Sequence, residues 1–159
     1  MKNFRLLKMS QMTALEWHRV LALRAQVFVV EQNCPYQDPD GKDVVSYHLL
    51  MESGEELVAY ARLVPPGVSY PEAAIGRVVT SPSVRRTGWG RALMNIAIEQ
   101  TKKQFGTNEI CISAQSYLLK FYQDLGFVAE GEEYLEDDIP HWKMRWKDSE
   151  ADLGGSLDR

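Results

Sequence analysis

The chain has no apolar run approaching the roughly 20 residues that span a bilayer, and its opening stretch MKNFRLLKMSQM lacks the apolar core of a secretory signal. It is therefore expected to be soluble and cytoplasmic, with no membrane partner. Cysteine is scarce: Cys34 and Cys111 stand far apart and form no C-x-x-C pair. That excludes a zinc ribbon, a thioredoxin-like redox pair and a disulfide framework, so no metal is expected and a reducing compartment fits. Positive charge is not in excess either. With 18 basic against 22 acidic residues the formal net charge is -4, and no overall positive field gathers nucleic acid or an anionic surface.

What is present is the material of a folded domain. A chain of 159 residues is about one domain and buries roughly 70% of its unfolded surface. Its 45% hydrophobic and 25% charged residues exclude the composition of a disordered chain. A single domain over residues 1–148 is expected, followed by residues 149–159, a tail with little to bury that is expected to be mobile.

Residues 4–9 form a short mixed apolar stretch. Thr13 with Glu16 makes a capping box before a helical run through Leu15, Val20, Leu23 and Val27. From Val27 to Val30 the sequence is continuously apolar, which fits a deeply buried last helical turn or a short strand; the helix is the reading adopted. Residues 31–43, broken by Pro35, Pro39 and Gly41, read as a loop long enough to suggest a function. Strands are expected over 44–51 and 57–64, joined by a hairpin turn at 52–55, and over 73–80. A helix opening at Gly88 or Gly90 stops at Gly106. A buried strand over 109–113, a helix over 117–125 capped by Gly126, and a last hairpin of 127–129 with 141–146 follow, the acidic segment 130–140 separating its strands. The order β-α-β-β-β-α-β-α-β-β gives an α/β layer structure on a mixed sheet.

The informative constellation is the third strand and the loop behind it. Val78, Val79 and Thr80 lead through Ser81-Pro82 to Arg85-Arg86-Thr87-Gly88-Trp89-Gly90-Arg91 and a helix. Helix N-termini leave amides unpaired, and glycines let an anion approach that backbone. Arg85 and Arg86 add charge-assisted hydrogen bonds, so a pyrophosphate fits there. A tight turn with solvated arginines is the plainer alternative. No G-K-[ST] follows, and Leu93 stands where a G-x-G-x-x-G motif has its last glycine, which weakens triphosphate and dinucleotide readings.

Arg85-x-x-Gly88-x-Gly90 after Pro82, together with Phe121-Tyr122-Gln123-Asp124-Leu125-Gly126-Phe127 downstream, resembles the GNAT superfamily of N-acetyltransferases. Val27-Phe28-Val29-Val30-Glu31-Gln32-x-Cys34-Pro35-Tyr36, with Asp43 and His48 after it, and Glu136-Asp137-Asp138-Ile139-Pro140-His141 are similar to its ElaA-like branch. The resemblance covers roughly residues 4–147 and implies a central mixed, mostly antiparallel sheet with flanking helices. It also implies direct acetyl transfer from acetyl-CoA to a primary amine, on a small molecule or a peptide. Val78, Val79 and Thr80 would lie along the pantetheine arm, residues 85–91 would hold the pyrophosphate, and Tyr122 would protonate the leaving thiolate. Gln115 stands where many relatives have an asparagine contacting the cofactor.

One departure concerns the base. Many relatives carry a glutamate on the strand before the phosphate loop, whereas Ala73, Ala74, Ile75, Gly76 and Arg77 offer none. Candidate bases are His48, ahead of the others because histidine titrates near neutrality, and Glu31, Asp43 and His141. A lone strand histidine is more often a structural group. Glu31 and Asp43 flank the long loop, where they would draw in a cationic amine or merely form a wet face; with His141 they are the candidate substrate-binding residues. Cys34 has no evident activating partner, so covalent catalysis is not expected. The acidic run 130–138 reads as a lid for a basic substrate or a solvated surface. The alternative function is an acyl-CoA-binding sensor or interaction module, kept open by the missing glutamate. An exposed sheet edge also leaves a homodimer open.

Overall fold

The computed structural model of the chain describes residues 2–149, so the expected tail falls, from residue 150 on, outside the described residues. Strand β1 (Arg5–Lys8) is followed by helix α1 (Ala14–Arg24). Thr13 caps that helix as expected: its hydroxyl accepts from the Glu16 amide at 3.1 Å, and the Glu16 carboxylate accepts from the Thr13 amide at 2.9 Å. Two amides that a first turn leaves without partners are thus paired. The apolar run from Val27 is helical rather than extended, but wound wider, because Ala25–Glu31 continues α1 as a π-helix. Such turns are rare and concentrate at functional sites.

A short helix α2 (Lys42–Val45) replaces the end of the expected loop and delays strand β2 to Tyr47–Ser53. Strands β3 (Glu56–Val64) and β4 (Ala73–Thr80) and helix α3 (Trp89–Phe105) follow. Strand β5 (Glu109–Gln115), helix α4 (Leu119–Asp124) and strands β6 (Val128–Glu136) and β7 (Ile139–Lys147) complete the described chain. The sheet runs β1-β2-β3-β4-β5-β7-β6, and only β4 with β5 is parallel.

Strand alternation divides the core. Leu49, Met51, Ala59 and Ala61 face the cluster that holds Leu93, Met94 and Ala97 of α3 and Tyr122 of α4, whereas Leu50 and Tyr60 face Val20, Leu23 and Val27 of α1. Each large buried aliphatic side chain contributes roughly 1.5–3 kcal/mol. Helices therefore cover both faces of the sheet.

The acidic segment is not a spacer between strands. It forms most of β6, and Asp137 and Asp138, with φ of 50° and 61°, make the turn into β7. Positive φ at both central residues is what a tight two-residue hairpin requires. Glutamate is depleted in strands, which hid β6 from the pattern, but β6 is a sheet edge, where charged side chains discourage pairing with other chains. Its charge is partly met across the hairpin: the Arg145 Nε donates to Glu130 at 2.9 Å.

The loop between α1 and α2 is pinned by buried ion pairs. Arg24 has no exposed surface; its Nε donates to Asp38 and its Nη1 to Asp43, both at 2.8 Å. Arg62 of β3 donates to Asp40 at 2.6 Å and Asp43 at 2.9 Å, and Arg77 of β4 to the Asp38 carbonyl at 2.8 Å. Asp43 is thus a structural anchor.

Candidate active site

Strands β4 and β5 pair only where Ala73 meets Ile110 and Ala74 meets Cys111. Beyond that point they part. Part of the cause lies in β4: between the pairs Arg62↔Gly76 and Tyr60↔Val79, Ala61 alone opposes both Arg77 and Val78. Arg77 absorbs this bulge with a left-handed φ of 50°, and bulges bend a strand and raise its twist. The result is a wedge between parallel strands, opening into a cleft of about 980 Å³.

One wall of the cleft is β4, including Val78, Val79 and Thr80. Behind it the chain turns through Pro82–Val84 and enters α3. Arg86 and Gly88 take left-handed φ values of 64° and 87° on either side of Thr87, the kind of turn whose amides form an anion-binding concavity. The first bond within α3 runs from the Ala92 amide to the Gly88 carbonyl at 3.1 Å, so the amides of the preceding residues lack helical partners. Arg85, Arg86, Gly88, Gly90 and Arg91 all line the cleft. A Cβ on Gly90 would meet the Phe121 ring at 3.7 Å, an ordinary van der Waals contact.

Thr87 and Trp89 do not line the cleft. The Thr87 hydroxyl donates to the Val84 carbonyl and ties the turn together. The Trp89 ring packs against the core, with the Lys2 ammonium 4.1 Å from its centroid. Arg85 is paired with Glu31 at 2.7 Å, which puts Glu31 at the arginine end of the cleft. Both side chains are well exposed, and such a pair contributes about 0–1 kcal/mol, little enough for a bound anion to displace. Next to it, Gln32 and Gln115 exchange side-chain amide hydrogen bonds at 3.2 and 3.3 Å, so the end of the π-helix reaches both walls.

Tyr122 lines the cleft from α4, held edge-on by Phe121 and Phe127 at ring separations of 5.1 and 5.9 Å. Burial, reinforced by Tyr117, pushes its phenol above the ordinary tyrosine value. It therefore remains protonated at neutral pH, with a proton available to donate.

His48, the first choice among bases, lies outside the cleft with no exposed surface. Its Nε2 meets the Asp43 carbonyl at 2.9 Å, and its Nδ1 meets the Tyr60 hydroxyl at 2.7 Å. A carbonyl can only accept, so Nε2 carries the proton and the lone pair of Nδ1 is used by Tyr60. Burial lowers its proton affinity further. Asp43 is likewise absent from the cleft, whereas His141 lines it beside Glu136. Cys111, its thiol pushed up to about 11 by burial, faces Glu72 rather than the cleft.

Ser113 and Tyr70, which the sequence did not single out, share this end of the cleft with His141 and with Glu136, the first residue of the ElaA-like stretch 136–141.

A family model for the acetyltransferase (GNAT) domain matches residues 25–148. A UPF0039 protein of Synechocystis sp. is 43% identical over 80% of this chain and 83% of its own length. Protein ElaA of Escherichia coli is 39% identical over 85% of this chain and 90% of its own, and its crystal structure superposes with a TM-score of 0.86, 37% identity and coverage of 92% and 100%. An acyl-CoA N-acyltransferase from Pseudomonas aeruginosa gives a TM-score of 0.86 at 40% identity, covering 92% of this chain and 99% of that one. The sequence matches and the superposed structures lead to one conclusion: this chain belongs to the GNAT acetyltransferase family, on its ElaA-like branch.

Proposed function

We propose that the enzyme, an acyl-CoA-dependent acyltransferase by family, transfers acetyl from acetyl-CoA directly to a primary amine in the cytoplasm. The observation that carries this is the wedge ending on the turn at 85–91 with Tyr122 facing into it. The residues present fit the donor. The parted edge of β4 offers backbone groups to the amides of a pantetheine arm, and the α3 amides with Arg85, Arg86 and Arg91 suit a pyrophosphate. When bound, the thioester supplies an activated acyl carbon and a sulfur leaving group. Tyr122 donates its phenol proton to that sulfur, and no protein nucleophile is required.

Thiol release from acetyl-CoA, followed with butylamine, spermidine, glucosamine and a lysine-containing peptide, tests the reading. Amine-dependent release supports it; CoA binding without release above background from any amine would mark the protein as a sensor instead.

Gly88→Val should weaken CoA binding at least about tenfold. A Cβ in the left-handed region costs about 1–2 kcal/mol, more for a β-branched residue, and relieving it turns the loop amides away. Calorimetric titration checks this, and an unchanged Kd would separate the loop from phosphate binding.

A further inference from the structure

We infer that His141 and Glu136 form the acceptor subsite, in which Glu136 holds an alkylammonium and His141 removes its proton before attack; this rests on the acyltransferase reading above. The inference begins with a tautomer. The Nδ1 of His141 lies 2.6 Å from the carbonyl oxygen of Ile139, which can only accept. Nδ1 is therefore the protonated nitrogen, and Nε2 of the neutral ring carries a lone pair. That lone pair faces Glu136 Oε2 at 3.4 Å.

With the ring neutral, two acceptors confront each other on the cleft wall, and among the described residues no other group donates to His141 Nε2 or Glu136 Oε2. An ammonium group, which has donors and no acceptor, satisfies both at once. His48 is the contrast within the same molecule, since both of its ring nitrogens are satisfied by protein.

Hairpin geometry holds the pair. His141 sits opposite Gln115 of β5 and Tyr134 of β6 and stacks on the Tyr134 ring at 6.1 Å and 22°. The imidazole is 7% exposed while the carboxylate is 52% exposed, so the base is fixed and the carboxylate stands at the entrance. The titratable groups facing the ring are Tyr134 and Glu136 from β6, while β5 presents neutral Gln115 and the Ser113 hydroxyl, which donates to Glu136 at 3.4 Å. Tyr70, in the segment before β4, lies within electrostatic reach of Tyr134 and Glu136.

The protons balance. One leaves the ammonium for His141 Nε2 and passes to solvent. The neutral nitrogen then attacks the acyl carbon, the C–N bond forming and the C–S bond breaking. Tyr122 protonates the departing sulfur and recovers its own proton, through water, from the nitrogen that became the amide.

The test compares wild type, His141→Gln and Glu136→Gln with acetyl-CoA and the fastest amine of the panel named above, from pH 7 to pH 10.5. His141→Gln should lower kcat/KM for the amine about 10²-fold at pH 7. The deficit should shrink toward pH ~10.4, where about half of an alkylamine arrives neutral and needs no base. Glu136→Gln, at an exposed position that need not disturb folding, should raise the amine KM at least fivefold at pH 7 and little at pH 10.5, with CoA affinity unchanged. A pH-independent deficit in His141→Gln, or an unchanged amine KM in Glu136→Gln, would overturn the inference while leaving the transferase reading intact. A wild type inert toward every amine would sink both.

Discussion

Tyr122→Phe is expected to lower kcat at least about 10²-fold while leaving the Kd for CoA within about twofold of wild type. The substitution removes one oxygen from a side chain whose ring is fixed by Phe121 and Phe127. No hydrogen bond joins that oxygen to another described residue, so nothing in the fold depends on it, and a phenylalanine ring fills the same space. Loss of turnover would then report the missing proton donor alone. Because burial holds the phenol protonated, wild-type turnover should show no fall between pH 7 and 9 from ionisation of this group. If CoA affinity fell in parallel with kcat, Tyr122 would be a packing residue of the cleft and not its acid.

Arg24→Leu should reduce unfolding free energy by about 3–5 kcal/mol, the usual result of removing one partner from a buried ion pair. The substitution leaves Asp38 and Asp43, both nearly inaccessible, one positive charge short. The loss is pH-dependent with a definite sign. Burial by itself would raise the Asp43 carboxyl, but Arg24 and Arg62 outweigh it and hold it below the ordinary value. A depressed folded pKa contributes stability above the unfolded carboxylate value near 4, and that contribution disappears as pH falls through the folded value. Urea titrations should therefore show the two proteins far apart at pH 7 and converging as pH falls below about 4. A gap under about 1 kcal/mol at pH 7 would mean that Arg62 and Arg77 suffice to neutralise the cluster.

The consequence reaches the cleft. Arg77 carries the β4 bulge and grips the loop through the Asp38 carbonyl, while Tyr36 of that loop donates to Asp38 at 3.0 Å. Tyr36, Arg62 and Arg77 all line the cleft. Loosening the cluster thus loosens part of the cleft wall.

Local signals carried the legible part of this architecture. The capping box at Thr13, the strand Ala73–Thr80, the helix beginning after Gly88 and the stop at Gly106 each depend on residues within one turn or one strand. The amide-rich turn at 85–91 was legible for the same reason. What could not be read was pairing over distance. Arg24 meets Asp38 and Asp43 across 14 and 19 residues, and Arg77 meets Asp38 across 39, separations with no periodic trace. The sequence therefore offered Asp43 as a candidate ligand for substrate, when it neutralises two arginines. It placed His48 ahead of His141, although titration near neutrality is common to both; only the carbonyl that each ring meets reveals which lone pair is spent. Glu31 was read with the acceptor, yet the π-helical winding carries it to Arg85.

The most direct measurement is a calorimetric comparison of CoA with pantetheine, which keeps the arm and the thiol but lacks the pyrophosphate and the 3′-phosphoadenosine beyond it. Two charge-assisted hydrogen bonds of about 1.5 kcal/mol each predict that CoA binds at least ~100-fold more tightly. Equal affinity for the two, or none for CoA, would contradict a phosphate grip at the mouth of α3.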